Sequence, residues 1–80
     1  MNAVTVVDAR GHRCPVPSLK LRRAMEGAPK GKVFMLYATD PMARIDVPFL
    51  MRELGGQCLS VEEAQGVLTL RVATGAATPD

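Results

Sequence analysis

The sequence predicts an α+β chain, a two-layer sandwich of order βαβαββ in which two helices cover one face of a four-stranded mixed sheet. Three observations lead there. Short apolar or β-branched runs of strand length alternate with segments whose apolar residues recur at helical spacing. Glycine and proline punctuate nearly every junction between them. Each helical segment is apolar on one stripe only, so each has one face to bury, and a single sheet face can accept both.

Val4-Thr5-Val6-Val7 is rich in β-branched residues and stops at the turn from Asp8 to Gly11, which reads as a first strand. From Pro15 to Ala28 the positions Pro17, Leu21, Ala24, Met25 and Ala28 lie on one side of a helix turning about 100° per residue, and Gly27, Pro29 and Gly31 end it. Lys32 to Thr39 encloses Val33-Phe34-Met35-Leu36-Tyr37-Ala38, a continuous apolar run expected to be a central strand buried on both faces. Asp46 is the expected N-cap of a second helix, with Pro48 in its first turn and Val47, Leu50, Met51 and Leu54 as its stripe up to Gly55-Gly56. Cys58 to Glu62 and Val67 to Val72 alternate around Glu63-Ala64-Gln65-Gly66, a β-hairpin whose inward face carries Leu68, Leu70 and Val72.

With 80 residues there is room for one domain, expected to span residues 1–80 with its core at about 4–73 and a mobile tail at 74–80. Hydrophobic residues make up 48% and charged residues 22%, the composition of an ordinary soluble globular chain. No apolar run approaches the roughly 18 to 20 residues that span a bilayer, and a basic-then-apolar leader is absent, so a cytoplasmic location without membrane contact is expected. Cys14 and Cys58 stand too far apart for a Cys-x-x-Cys redox or zinc site, and the one histidine cannot complete a usual zinc site with them. No metal is expected, and no nucleotide or organic cofactor, since no phosphate-binding glycine loop is present.

The chemistry points to Arg10-Gly11-His12-Arg13-Cys14-Pro15-Val16-Pro17. Here a cysteine stands between a glycine turn and a proline suited to open a helix. Arg10, Arg13, Lys20, Arg22 and Arg23 are half of the 10 lysines and arginines, and no acid lies between Ala9 and Met25. A helix N-terminus and nearby cations both favour the thiolate, so Cys14 is expected to be a reactive thiol with a lowered pKa and not core filling. Gly11, Arg13, Pro15 and Pro17 would support it. Arg22 and Arg23 read as a solvated helix face, whereas Arg13 and Lys20 fit either that or a partner-facing role. Val16 and Leu19 lie off the core stripe beside the cysteine, which suggests docking. His12 reads as an exposed side chain, with a role as base the alternative. Asp40-Pro41 reads as a turn, Cys58 as half-buried filling, and the five methionines as core.

Gly11-x-x-Cys14-Pro15-x-Pro17 resembles the cysteine motif of the small sulfur carriers of the TusA family, also called SirA-like. Val7-Asp8 ahead of Gly11 and Leu19-Lys20-Leu21 with Ala24-Met25 match the surroundings of that motif. Thr39-Asp40-Pro41 and Asp46-Val47-Pro48-Phe49 are similar to the family's second landmark, and order and spacing agree from about Thr5 to Val72. His12 departs from the pattern, which usually has a hydrophobic residue there. The resemblance implies the same two-layer sandwich, an arrangement also found in the C-terminal domain of the third bacterial translation initiation factor. It implies persulfide transfer on Cys14, with sulfur taken from a cysteine desulfurase or a rhodanese-like donor. A downstream acceptor protein would receive it, in tRNA thiolation, molybdenum-cofactor assembly or sulfur oxidation. Such a protein is a persulfide carrier of sulfurtransferase type more than a turnover enzyme.

Two other classes compete. An RNA-binding module is suggested by the related fold and the basic first helix, but Phe34, Tyr37 and Phe49 are the only aromatics, two of them in the central strand, so no stacking platform is visible and direct nucleic-acid contact is not expected. A redox-regulatory module would use the same cysteine as a sensor.

Overall fold

The computed structural model describes residues 4–75. Six elements follow one another as β1 (Thr5–Ala9), α1 (Val16–Met25), β2 (Val33–Ala38), α2 (Ala43–Glu53), β3 (Gln57–Ala64) and β4 (Val67–Ala73). The strands form one sheet in the order β1-β2-β4-β3. β1 runs parallel to β2, while β4 is antiparallel to β2 and to β3. A parallel pair needs a crossover, and α1 supplies it. The mixed sheet and the βαβαββ order are those the sequence predicts.

The core is the layer between the sheet and the helices. Val7 and Ala9 of β1, Phe34, Leu36 and Ala38 of β2, and Leu68, Leu70 and Val72 of β4 are buried there with Leu21 and Met25 of α1 and Val47, Leu50 and Met51 of α2. Because this layer takes one face of the sheet, β2 is not buried on both faces as its apolar run suggests. Phe34, Leu36 and Ala38 are buried, whereas Val33, Met35 and Tyr37 are only half-buried on the opposite side. Its central place between β1 and β4 stands. The methionines divide accordingly: Met25 and Met51 are core, Met35 lies half-buried on the open face, and Met42 is 47% exposed. Met1 falls outside the described residues.

The helices differ from expectation at their ends. α1 stops at Met25, and Gly27 takes a positive φ of 73° just beyond it. Ala24 is exposed because it sits at the rim of the stripe, turned about 100° from Met25. α2 begins at Ala43, three residues before Asp46, so Asp46 lies within the first turn and is not its cap. The N–H of Met42, just ahead of the helix, donates instead to Asp40 Oδ1 at 2.9 Å. Pro48 is inside the helix, where its missing N–H removes the bond it would otherwise donate to the Arg44 carbonyl.

The hairpin turn is tighter than the four residues expected. Gln65 and Gly66 alone form it, with φ of 53° and 80°, the paired positive values that match the twist of adjoining strands. Strand pairing therefore reaches Ala64 and Val67. The expectation of a mobile tail from residue 74 fails at its start. Thr74 is buried, its N–H donates to the Lys32 carbonyl at 2.9 Å, and its own carbonyl accepts from Gly31 N–H at 2.9 Å. Lys32 N–H donates to Thr74 Oγ1 at 2.9 Å, and that hydroxyl donates to the Pro29 carbonyl. Residues 76–80 lie outside the described residues.

The burial pattern sets an expected contrast in stability. Leu70 is fully buried and Leu59 is 48% exposed. Leu70→Ala should cost about 2–5 kcal/mol of unfolding free energy and Leu59→Ala no more than about 0.5 kcal/mol, measured by urea denaturation. Equal losses would contradict this assignment of the core.

Candidate functional site

The site is built by the parallel pairing of β1 and β2. Ala9 stands beside Ala38 in the register, so the segment after β1 and the segment after β2 leave the sheet side by side. Gly11 takes a positive φ of 83°, open to glycine at little cost, and its N–H then donates to Thr39 Oγ1 at 2.8 Å. His12 N–H closes the turn on the Ala9 carbonyl at 3.2 Å. Cys14 N–H donates to Asp40 Oδ2 at 2.9 Å. Asp40 thus spans two segments, with one oxygen on Cys14 N–H and the other on Met42 N–H. These two hydrogen bonds, with the charge of Arg13 beyond them, hold the Asp40 carboxyl below the usual carboxylate range. The Cys14–Pro15 peptide is cis.

Cys14 is half-buried, and its side chain packs against the core. The thiol does not have the lowered pKa that the sequence suggests. Burial pushes it up to about 11, helped by a hydrogen bond to the Asp46 side chain and by the negative charges of Asp40 and Asp46. Two physical reasons account for the reversal. Pro15 and Pro17 carry no N–H, and Val16 N–H is spent on the Arg13 carbonyl at 2.9 Å, so the start of α1 offers few donors to an anion. The nearby cations are also engaged elsewhere: Arg10 pairs with Asp8 at 2.8 Å, and Lys20 Nζ donates to the Asp8 carbonyl at 2.9 Å. The acids that face the thiol come from the second landmark, which composition around the cysteine does not reveal.

The expected site residues do not all converge. Gly11, Arg13 and Cys14 come together with Thr39 and Asp40, and Gly11, His12, Arg13, Thr39, Asp40 and Pro41 line an open groove. Pro15 immediately precedes α1 instead of opening it, and Pro17 is buried as part of the core stripe. Val16 and Leu19 are 36% and 57% exposed. Lys20 is tied to the end of β1, as described. His12 is exposed. Cys58 is half-buried on β3, the opposite edge strand, beside Pro48, Met51 and Arg52. Sequence reasoning missed Thr39, the hydrogen bond from Cys14 N–H to Asp40, and the effect of the Asp46 charge on the thiol. The available signal was that Thr39-Asp40-Pro41 follows a strand parallel to the one that precedes the cysteine.

A βαβαββ sandwich with a half-exposed cysteine at the shared end of its parallel strands defines a class of small thiol-bearing proteins. Comparison with known proteins narrows it. The model of the family described as sulfurtransferase TusA matches residues 5–74, and the chain belongs to that family. It is 34% identical over 61 residues to the sulfur carrier protein TusA of Pseudomonas putida, covering 76% of each chain. It is 36% identical over 72 residues to a provisionally named sulfur carrier of Neisseria meningitidis, covering 90% of this chain and 96% of that one. A SirA-like protein of Desulfitobacterium hafniense has the same fold, with a TM-score of 0.78 and 23% identity over 91% of this chain and 99% of the other. These relatives support a sulfur-carrier role. No helix among the described residues is long and apolar enough to cross a membrane.

The environment of Cys14 makes a prediction about pH. A thiol whose proton is held more tightly in the folded than in the unfolded chain stabilises the fold below its unfolded pKa, and that contribution fades as pH rises from about 9.0 towards about 11. Alkylation of Cys14 should accordingly show a midpoint near 11, followed by mass spectrometry of the peptide that carries it. A midpoint at or below the free-thiol value of roughly 8.5 would contradict the role given to the two acids.

Proposed function

We propose that Cys14 is the sulfur-bearing residue of this carrier and that it holds sulfane sulfur as a persulfide between a donor and an acceptor protein. The observation that supports this most is the placement of Cys14, whose backbone is pinned by Asp40 while its side chain remains partly open at one end of the sandwich. A carrier must present one sulfur at a fixed position to two different partners in turn. A pinned backbone supplies the fixed position, and partial exposure supplies the access.

The transfer needs no external oxidant. The Cys14 sulfur attacks the outer sulfur of a donor persulfide, R–S–SH, and forms a new S–S bond. The donor's S–S bond breaks, its electron pair stays on the donor sulfur, and that sulfur takes the proton given up by Cys14. The products are R–SH and Cys14–S–SH. Transfer to the acceptor repeats the exchange in the other direction. The donor would be a cysteine desulfurase or a rhodanese-like protein, within a relay ending in tRNA thiolation, molybdenum-cofactor assembly or sulfur oxidation. Exposed Val16 and Leu19 would form the apolar part of the docking surface, with Arg13 and Lys20 at its edge, so that charge speeds encounter and apolar contact slows release. Gly11, Pro15 and Pro17 support the site through the shape of the loop and its anchorage on α1.

Incubation with a cysteine desulfurase and cysteine, or with polysulfide, followed by intact mass, tests the assignment. The wild type and Cys58→Ser should gain sulfur and Cys14→Ser should not. Leu19→Asp should load with polysulfide normally yet lose most transfer to a protein acceptor. Loading of Cys14→Ser with none on Cys58→Ser would overturn the choice of cysteine, and unimpaired transfer by Leu19→Asp would return that residue to the ordinary surface.

A further inference from the structure

β1 is an outermost strand, and among the described residues no strand pairs with its outer edge. Lys20 Nζ donates to the Asp8 carbonyl at 2.9 Å, so the backbone of Asp8 is turned to that edge and away from β2. Backbone groups alternate along a strand with a period of two, which turns the N–H and C=O of Val6 the same way. Such a row is a template for one more strand. Beside it runs an open groove lined by Thr5, Val6, Val7 and Asp8 of β1 and by Lys20, Arg23 and Ala24 of α1. Its charge is one-sided. α1 carries Lys20, Arg22 and Arg23 and no acid, and Asp8, the one acid lining the groove, is already paired with Arg10 at 2.8 Å. On the face of the sheet away from the helices, Val6 is 54% exposed. The other edge differs: β3 is broken by a register shift between Cys58 and Ser60 and carries Glu62 and Glu63, features that discourage pairing.

We propose that the outer edge of β1 takes an extended segment of a partner protein as a fifth strand, one whose side chains alternate acidic with apolar. Side chains of an added strand point to the two faces of the sheet in turn. Those on the helix side meet Lys20 and Arg23, which favours carboxylates, and those on the open side lie beside Val6, which favours apolar groups. Lys20 does not have to leave. Its ammonium has further N–H donors for a carboxylate, and the Asp8 carbonyl has a second lone pair for the incoming N–H. The same charge disfavours a second copy of this chain, because pairing β1 with its own image would bring two sets of Lys20 and Arg23 together. β1 continues into the cysteine loop, so a segment bound here keeps its protein next to Cys14. Binding at the edge does not itself depend on Cys14 carrying sulfur.

The test titrates two short synthetic peptides, one alternating glutamate with valine and one alternating lysine with valine, into the isotope-labelled full chain, with binding and amide exchange followed by nuclear magnetic resonance. The glutamate peptide should bind and slow exchange of the Val6 and Asp8 amides while those of β3 stay as they are, and the lysine peptide should do neither. Joint reversal by Lys20→Glu and Arg23→Glu should weaken the glutamate peptide about tenfold and admit the lysine peptide. Val6→Pro, which removes an edge N–H that the sheet does not use, should abolish binding with the fold kept. Where that variant does not fold, the charge reversal decides alone. The proposal is overturned if the glutamate peptide fails to bind, if it binds without protecting Val6 and Asp8, if the wild type binds both peptides equally, or if the reversal leaves affinity unchanged. Protection of these amides in the peptide-free protein that rises with protein concentration would put a second copy at the edge and overturn the choice of occupant.

Discussion

The parallel register of β1 against β2 is the constraint on which the site depends. With Ala9 beside Ala38, two segments 29 residues apart in the chain emerge at the same end of the sheet, and two hydrogen bonds that shape the cysteine loop cross between them. Gly11 reaches Thr39, and Cys14 reaches Asp40. An antiparallel arrangement of these strands would send the two segments to opposite ends. The register is in turn held by burial, since Ala9 and Ala38 are both fully enclosed beneath the helices and a slip of one residue would turn every core side chain of β1 to solvent.

Within that frame, placement and reactivity of the thiol are governed by different residues. Asp40 places it by holding the backbone, and its own charge is stabilised by the two N–H groups it accepts. The thiol's proton is held by partial burial and by the negative charges of Asp46 and Asp40. The prolines on either side of Val16 set the exit of the chain into α1, and they also remove two donors that could have steadied a thiolate.

Much of the fold was legible because its apolar residues repeat with clear periods. Pro17, Leu21 and Met25 mark α1, while Leu68, Leu70 and Val72 mark the inner face of β4, and both are buried as their spacing predicts. Local reading failed where a distant partner decided the outcome. The run from Val33 to Ala38 is apolar at every position, yet only alternate residues are buried because both helices share one face. Asp46 has the chemistry of a cap, but the helix starts at Ala43, and its negative charge instead helps to raise the pKa of Cys14. Thr74 looked like tail and is bound to Lys32, 42 residues away in the chain. The cysteine motif stood out in the sequence, whereas the sign of the electrostatic environment of Cys14 depended on acids more than 20 positions further on.

The hydrogen bond from Cys14 N–H to Asp40 is the direct expression of this account, and nuclear magnetic resonance can observe it. The Cys14 amide should be protected from exchange, and its proton shift should titrate at low pH with a midpoint below 3.8, following the carboxyl of Asp40. In Asp40→Ala both signatures should vanish while the amides of β2 and β4 keep their protection. A Cys14 amide that exchanges freely in the wild type, or whose shift ignores the titration of Asp40, would contradict the claim that the parallel register joins the two segments through this contact.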